Sequence, residues 1–199
     1  KHFAVNSQEF ERGSENEVVS ERALREIYLR GFEIAIKESN PMTVMAAYNK
    51  VNGVYCTNNY DLLVKVLRNE WGFEGMVMSD WNSIYDWEKV IFSGQNLDMP
   101  GEDAFYIKKK PADLVAEGIV TEADIENMIR PTIATCIRWG LYDRYNSGKQ
   151  YDRSLEAKLP AHLEVSYQTA AEGAVLLRNN GILPLSTDRQ VLVVGKWLD

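Results

Sequence analysis

The chain has 199 residues, of which 45% are hydrophobic and 26% are charged, a composition typical of a globular protein with one core and room for a second domain. Its formal net charge of −7, with a single short basic run at 108–110, argues against a nucleic-acid partner, because phosphate binding needs a basic face. No apolar run approaches the roughly 20 residues that cross a bilayer, so we expect no membrane partner either.

Two further features bound the class of protein. Cys56 and Cys136 lie far apart without CxxC spacing, so we expect neither a disulfide framework nor a metal site, and no cofactor. The sequence starts at Lys1 with neither an initiator methionine nor a signal peptide, which predicts a piece of a longer polypeptide.

Short apolar runs alternate with amphipathic segments along the first 141 residues. The runs predict four strands, and the three-and-four spacing of apolar residues between them predicts helices. The predicted strands are 1–5, 43–48, 76–80 and 96–99, and the predicted helices are 18–39, 59–71, 83–92, 111–118 and 121–140. Strands that alternate with helices indicate βαβ units and a parallel sheet, and four such units make half of an eight-stranded barrel.

The composition changes after this region. Residues 142–160 are rich in polar and turn-forming side chains, which predicts a linker. A helix over about 163–178 and a strand beginning at Val191 follow it. The predicted organisation is therefore α/β, with the second half of a TIM-like barrel at 1–141, a linker at 142–160, and the start of an α/β sandwich domain at 161–199.

The stretch 72–81 holds the strongest candidate for chemistry. A glycine-flanked apolar run ends there in Asp80 and Trp81. The carboxyl ends of parallel strands carry the active sites of barrels and open sheets, so an acid at this point is a catalytic candidate. Position alone leaves this interpretation even with that of a helix or loop cap.

Other candidates follow neighbouring strand ends. Lys1 and His2 would share a rim with Asp80, although such a pair taken alone is more often structural. Met45 and Tyr48 close the second strand, where an apolar residue is more often part of the core. Trp81 is either a platform on which a sugar stacks or a core residue.

A longer series of motifs runs through the whole chain in order. It comprises KHFAVN at 1–6, QE at 8–9 with Arg12, ERALREIYL at 21–29, MAAYNKVNG at 45–53, LRNEWGFEG at 67–75, SDW at 79–81, LDMPG at 97–101, AAEGAVLLRN at 170–179 and LPL at 183–185. Together these motifs resemble glycoside hydrolase family 3, of the β-glucosidase type.

The resemblance implies a TIM-like barrel followed by an α/β sandwich, with the active site at their boundary. It implies that Asp80 is the catalytic nucleophile and that Lys1, His2 and Arg12 bind hydroxyls of the sugar. It also implies that Tyr48 lies next to the nucleophile. The substrate-binding residues that it implies are Lys1, His2, Arg12, Met45, Tyr48 and Trp81.

The function that the resemblance implies is that of a retaining β-glucosidase, which removes terminal non-reducing β-D-glucosyl residues through a covalent glycosyl-Asp80 intermediate. The acid/base carboxyl would lie outside this chain. The expected partners are a β-glucoside or oligosaccharide substrate and the remainder of the same polypeptide, or a complementary chain. A β-xylosidase and an inactive glycan-binding or structural fragment are the alternatives.

Two further expectations come from the resemblance. Relatives that cleave N-acetylglucosamine carry Lys-His-Phe-Pro-Gly-His where this chain reads Lys-His-Phe-Ala-Val-Asn, which argues against that substrate. Family members favour a periplasmic or secreted location, while the sequence leaves a cytoplasmic one open.

Overall fold

The structure is a computed structural model that describes residues 1–101, 109–148 and 158–196. The chain divides into two units, Lys1–Lys149 and Gln150–Asp199, and the division falls inside the segment 142–160. The elements in chain order are β1 (Asn16–Glu17), α1 (Glu21–Ala23), a π-helix (Leu24–Tyr28), α2 (Arg30–Ser39), β2 (Thr43–Met45), β3 (Lys50–Val51), β4 (Val54–Tyr55), a 3₁₀ turn (Cys56–Asn58), a second π-helix (Asp61–Glu70), β5 (Met76–Trp81), α3 (Trp87–Val90), β6 (Leu97–Met99), α4 (Pro111–Ala116), α5 (Glu122–Arg138), α6 (Leu141–Asn146) and α7 (Leu159–Gly173).

A parallel sheet in the order β2-β5-β6 organises the first unit. Val44 pairs with Val77, and Met78 pairs with Leu97. The first predicted strand is reduced to a bridge, in which Phe3 pairs in parallel with Ala46 beside β2. The four predicted strands thus lie side by side in their order along the chain, as expected of successive βα units in a barrel. The short strands β3 and β4, which lie between β2 and β5 in sequence, form a second sheet with β1.

A bulge interrupts the pairing of β5 with β6 directly before the end of β5. Met78 pairs with Leu97 and Trp81 with Met99, so three residue steps on β5 stand against two on β6. Bulges of this kind re-aim side chains at the rims of barrels. Here the extra residue lies immediately beside Asp80.

The second π-helix covers one face of this sheet. Its buried residues are Leu62, Leu63, Val66 and Leu67, as its amphipathic pattern predicts. The Asn59 side chain accepts a hydrogen bond of 3.0 Å from the Leu62 N–H, which confirms its predicted role at the start of this helix. Val44 and Val77 of the strands belong to the same core cluster.

Arg68 joins this helix to the start of β5 and to the loop before β6. Its guanidinium donates to the main-chain oxygens of Phe73, Gly75 and Gly94 and, at 2.7 Å, to Oδ1 of Asn96. Burial lowers the pKa of Arg68. These bonds satisfy carbonyl groups that the short strands leave without ladder partners, and they fix where β5 begins.

Apolar and small residues recur at three-and-four spacing in the predicted helix at 18–39 and predict its buried face: Leu24, Ile27, Tyr28, Gly31 and Ala35. This prediction is wrong in part. Ile27 is 69% exposed, whereas Leu29, which does not fit the three-and-four pattern, is 1% exposed. The cause is the π-helical segment, in which the Leu29 N–H donates to Leu24 O at 2.8 Å, five residues back. The extra residue in this turn rotates the following helix, so Leu29 and Ile36 become its buried residues.

Two predicted helix starts have different outcomes in the structure. The helix predicted from Ser83 begins only at Trp87, because Asp86 is its cap and accepts from the Glu88 N–H at 3.1 Å. The start predicted at Thr121 is confirmed, since Thr121 and Asp124 form a reciprocal capping box. Pro131 lies inside α5.

The second unit contains α7, whose bounds differ from the predicted 163–178. The helix begins earlier, at Leu159, and ends at Gly173. The segment 191–195, predicted as a strand, has no regular structure, and Val191 and Val194 are exposed. A strand needs a neighbour for its main-chain hydrogen bonds, and the described residues of this unit supply none to it. In the first unit, α6 occupies the start of the predicted linker.

Candidate active site

Asp80 lies at the end of β5 and is 6% exposed. Its Oδ1 accepts a hydrogen bond of 2.8 Å from the N–H of Trp81. Its Oδ2 is buried and receives no well-directed hydrogen bond among the described residues. A buried carboxylate oxygen with unused acceptor capacity is available to an incoming group.

The His2 imidazole lies beside the second carboxylate oxygen of Asp80. Its Nε2 lies 3.3 Å from Asp80 Oδ2, a distance that suits an ion pair although the direction of the N–H does not make a strong hydrogen bond. Burial lowers the pKa of His2 below its usual 6.5, the Asp80 charge raises it, and the charges of Lys1 and Arg12 lower it. The net lowering favours the neutral imidazole near neutral pH.

Tyr48 lies between Arg12 and the residue after Asp80. Its hydroxyl donates to the main-chain oxygen of Trp81 at 2.6 Å. The Arg12 guanidinium stacks over the Tyr48 ring, 4.5 Å from its centroid, and also pairs with Glu9 at 2.7 Å. One tyrosine therefore connects the loop that carries Arg12 with the end of β5.

The other three predicted residues differ in their relation to Asp80. Lys1 is exposed, and its positive charge lowers the pKa of His2. Met45 is the last residue of β2 and pairs with Met78, two residues before Asp80. Trp81 is 55% exposed, so its indole is not a core residue, and that alternative is wrong.

Sequence patterns gave no indication of one further anchor. Tyr85 stacks on Tyr55 with centroids 4.1 Å apart and an interplanar angle of 26°, and its hydroxyl donates to Gly13 O at 3.3 Å. Gly13 follows Arg12 directly. Tyr85 thus gives the loop that carries Arg12 a second contact, and its partner is 72 residues away in the chain.

Neither a metal-binding cluster nor a membrane-spanning helix occurs within the described ranges. No group of three or more His, Cys, Asp or Glu side chains there is arranged to hold a metal ion. Over the same ranges, no helix has the length and hydrophobicity to span a bilayer.

The parallel sheet between helices, with a buried carboxylate and cationic and aromatic side chains at one strand end, defines an α/β domain with a candidate site at its strand ends. Residues 1–131 match the Glycosyl hydrolase family 3 N terminal domain. The chain belongs to glycosyl hydrolase family 3.

Three similar proteins show the extent of the likeness. Beta-glucosidase B of Emericella nidulans is 38% identical over 98% of this chain and 23% of its own length. The exo-alpha-(1->6)-L-arabinopyranosidase of Bifidobacterium longum is 36% identical over 99% of the chain and 26% of its own length. The structure of beta-glucosidase 3B from Thermotoga neapolitana in complex with glucose is 44% identical, has a TM-score of 0.70, and is matched over 94% of this chain and 26% of that one. The chain thus spans about a quarter of the length of these relatives.

Proposed function

We propose that this chain supplies the nucleophile and part of the sugar-binding site of a retaining β-glucosidase. The observation that carries the proposal is the Asp80 carboxylate, which is buried at the end of β5 and whose Oδ2 receives no hydrogen bond from the described residues. Because the chain spans about a quarter of its relatives, we propose that it works within a longer polypeptide or with a complementary chain.

The first step is attack by Asp80 Oδ2 on the anomeric carbon of a β-glucoside. A covalent ester forms as the bond to the leaving oxygen breaks, and a carboxyl group from outside this chain, about 5 Å from Asp80, protonates that oxygen. The same outer group then removes a proton from water, which attacks the anomeric carbon and releases Asp80. Two inversions retain the β configuration.

The side chains around Asp80 suit this chemistry. Arg12 and Lys1 carry positive charge close to His2, which lies beside Asp80, and their N–H groups can donate to sugar hydroxyls. A neutral His2 can both donate to and accept from sugar hydroxyls, while Nε2 stays 3.3 Å from Oδ2. The exposed indole of Trp81 offers a flat surface for the C–H face of a pyranose ring.

The roles of Met45 and Tyr48 in this proposal are less direct. Tyr48 supports the wall of the sugar site through the main chain of Trp81 and the side chain of Arg12. Met45 lies on the strand next to β5, at the base of the site. We also propose that the chain divides into a barrel part at 1–141, a linker at 142–160 and a sandwich part at 161–199.

A pentopyranosidase is the second candidate. The relative from Bifidobacterium longum is named for an L-arabinopyranoside, and xylose is likewise a pentopyranose that lacks the exocyclic carbon of glucose. Rates on aryl β-D-glucoside, β-D-xyloside and α-L-arabinopyranoside separate these candidates. A value of kcat/KM that is highest for the glucoside supports the first.

The nucleophile is tested with the full-length polypeptide that contains this chain. Asp80→Ala should abolish turnover of an aryl β-D-glucoside, and added azide should restore it with the α-glucosyl azide as product, because the small anion attacks from the side that the carboxylate vacates. The matched control is Asp61→Ala, which removes an exposed acid that pairs with Lys65 on the second π-helix and should leave turnover unchanged.

A second measurement identifies the residue chemically. A 2-deoxy-2-fluoro-β-D-glucosyl fluoride should label the protein covalently, and the labelled peptide should contain Asp80. Undiminished turnover in Asp80→Ala, or a label on another carboxylate, would overturn the assignment. Absence of glycosidase activity in the wild-type polypeptide would favour a glycan-binding or structural role instead.

A further inference from the structure

The main chain of Asp80 begins a tight turn that the hydrolysis itself does not use. Ser83 donates to the Asp80 carbonyl oxygen twice, from its N–H at 3.2 Å and from its hydroxyl at 2.9 Å. Asn82 has a φ of 58°, a left-handed conformation that asparagine tolerates better than most residues, and its N–H donates to Met99 O at 2.8 Å. The turn after β5 is therefore fixed by four consecutive residues and the end of β6.

A chain of buried hydroxyls extends from this turn into the protein. Thr57 Oγ1 donates to Ser83 O at 2.9 Å, and lies farther, at 3.4 Å, from Asn58 Oδ1. Ser93 Oγ is in turn 2.7 Å from Thr57 O and 2.8 Å from Val90 O. The turn is thereby tied to the 3₁₀ turn Cys56–Asn58 and to the segment after α3.

These hydrogen bonds join groups that are buried from water. Ser83 is 0% exposed, and Thr57 and Ser93 are each 1% exposed. Water does not reach the carbonyl oxygen of Ser83 in this setting, so loss of the Thr57 hydroxyl leaves a buried acceptor without its partner. The turn would then shift to find another donor.

We propose that Thr57 and Ser83 are positioning residues for the Asp80 carboxylate. Asp80 Oδ1 is held by the N–H of Trp81, which belongs to the same turn, so a shift of the turn changes the direction of Oδ2. Neither hydroxyl touches the reacting atoms. The inference rests on the proposed function of Asp80 as the nucleophile.

The test compares two variants of the full-length polypeptide, of which one lacks the hydroxyl at position 57 and the other keeps it. Thr57→Val keeps the shape of the side chain and removes the donor, whereas Thr57→Ser keeps the donor and removes a methyl group. We expect Thr57→Val to lower kcat by about tenfold, and to slow labelling by the fluoroglucoside equally, with KM within about twofold, since a barrier change near 1.4 kcal/mol is tenfold in rate. Thr57→Ser should retain kcat within about threefold.

Ser83→Ala is the second variant, for the case that Thr57→Val does not yield folded protein. It removes one of the two bonds to the Asp80 carbonyl and leaves the N–H bond, so we expect kcat to fall by about fivefold. A wild-type kcat in Ser83→Ala, or equal values of kcat in Thr57→Val and Thr57→Ser, would overturn the inference. If Asp80→Ala itself were active, the proposed function would fail first, so the two failures are distinguishable.

Discussion

Tyr48 offers the sharpest test of how the site is assembled, because its ring and its hydroxyl have different partners. The hydroxyl bonds to Trp81 O at 2.6 Å, beside Asp80, the proposed nucleophile, and the ring supports the Arg12 guanidinium at 4.5 Å. Tyr48→Phe removes the first contact and keeps the second. Tyr48→Leu removes both.

The expected magnitudes follow from these contacts. One hydrogen bond contributes about 1 kcal/mol, so Tyr48→Phe should lower kcat/KM by about fivefold, mainly through kcat. A cation–π contact at a partly exposed site contributes about 0.5–1 kcal/mol, and the Arg12 side chain is 34% exposed. Tyr48→Leu should therefore lower kcat/KM by about 10- to 30-fold in total, the further loss falling on KM because Arg12 is released.

The assay is steady-state hydrolysis of an aryl β-D-glucoside by the full-length polypeptide. Tyr60→Phe is the control, since this tyrosine is 48% exposed and its ring lies next to the Lys65 ammonium group. It should match the wild type. Equal KM values for Tyr48→Phe and Tyr48→Leu would refute the role given to the ring, and a wild-type kcat for Tyr48→Phe would refute that given to the hydroxyl.

Three other predictions concern stability, reactivity and completeness. A Cβ at Gly75 would overlap the carbonyl oxygen of Met42, so Gly75→Ala should lower the melting temperature, whereas Gly31→Ala meets open space in a helix and should stabilise by about 0.5–1 kcal/mol. Burial raises the pKa of Cys56 to about 12, so iodoacetamide at pH 8 should label Cys136 in the native protein, and both cysteines only after denaturation. The chain expressed alone should show no glucosidase turnover; turnover by the isolated chain would contradict the proposed acid/base outside it.

Much of the scaffold was predictable because its signals are local. The apolar runs at 43–48 and 76–80 predict buried strands without any knowledge of their neighbours. The pattern from Leu62 to Leu67 likewise predicts the buried face of a helix. The buried face of the helix at 18–39 is an exception, and its cause lies in the helix itself. Leu29 is buried because one wide turn shifts the helix, and spacing rules that assume a uniform helix cannot register that shift.

The candidate site divides in the same way. Asp80 is identified by its place at a strand end and by the motifs around it, and the structure brings His2 to within 3.3 Å of it. The sequence patterns did not identify the residues that hold the main chain of Asp80. Ser83 was predicted to start a helix, yet its hydroxyl holds the Asp80 carbonyl instead, since Asp86 captures the helix start.

The sequence by itself thus determined the order of the strands, the carboxylate at the end of β5 and the family. Only the tertiary structure decided what holds that carboxylate. Thr57 reaches Ser83 across 26 residues and Tyr85 reaches Gly13 across 72. Periodicity describes which face of an element is buried, but the partner of a buried hydroxyl depends on which distant carbonyl the fold brings within 3 Å, and no local pattern encodes that.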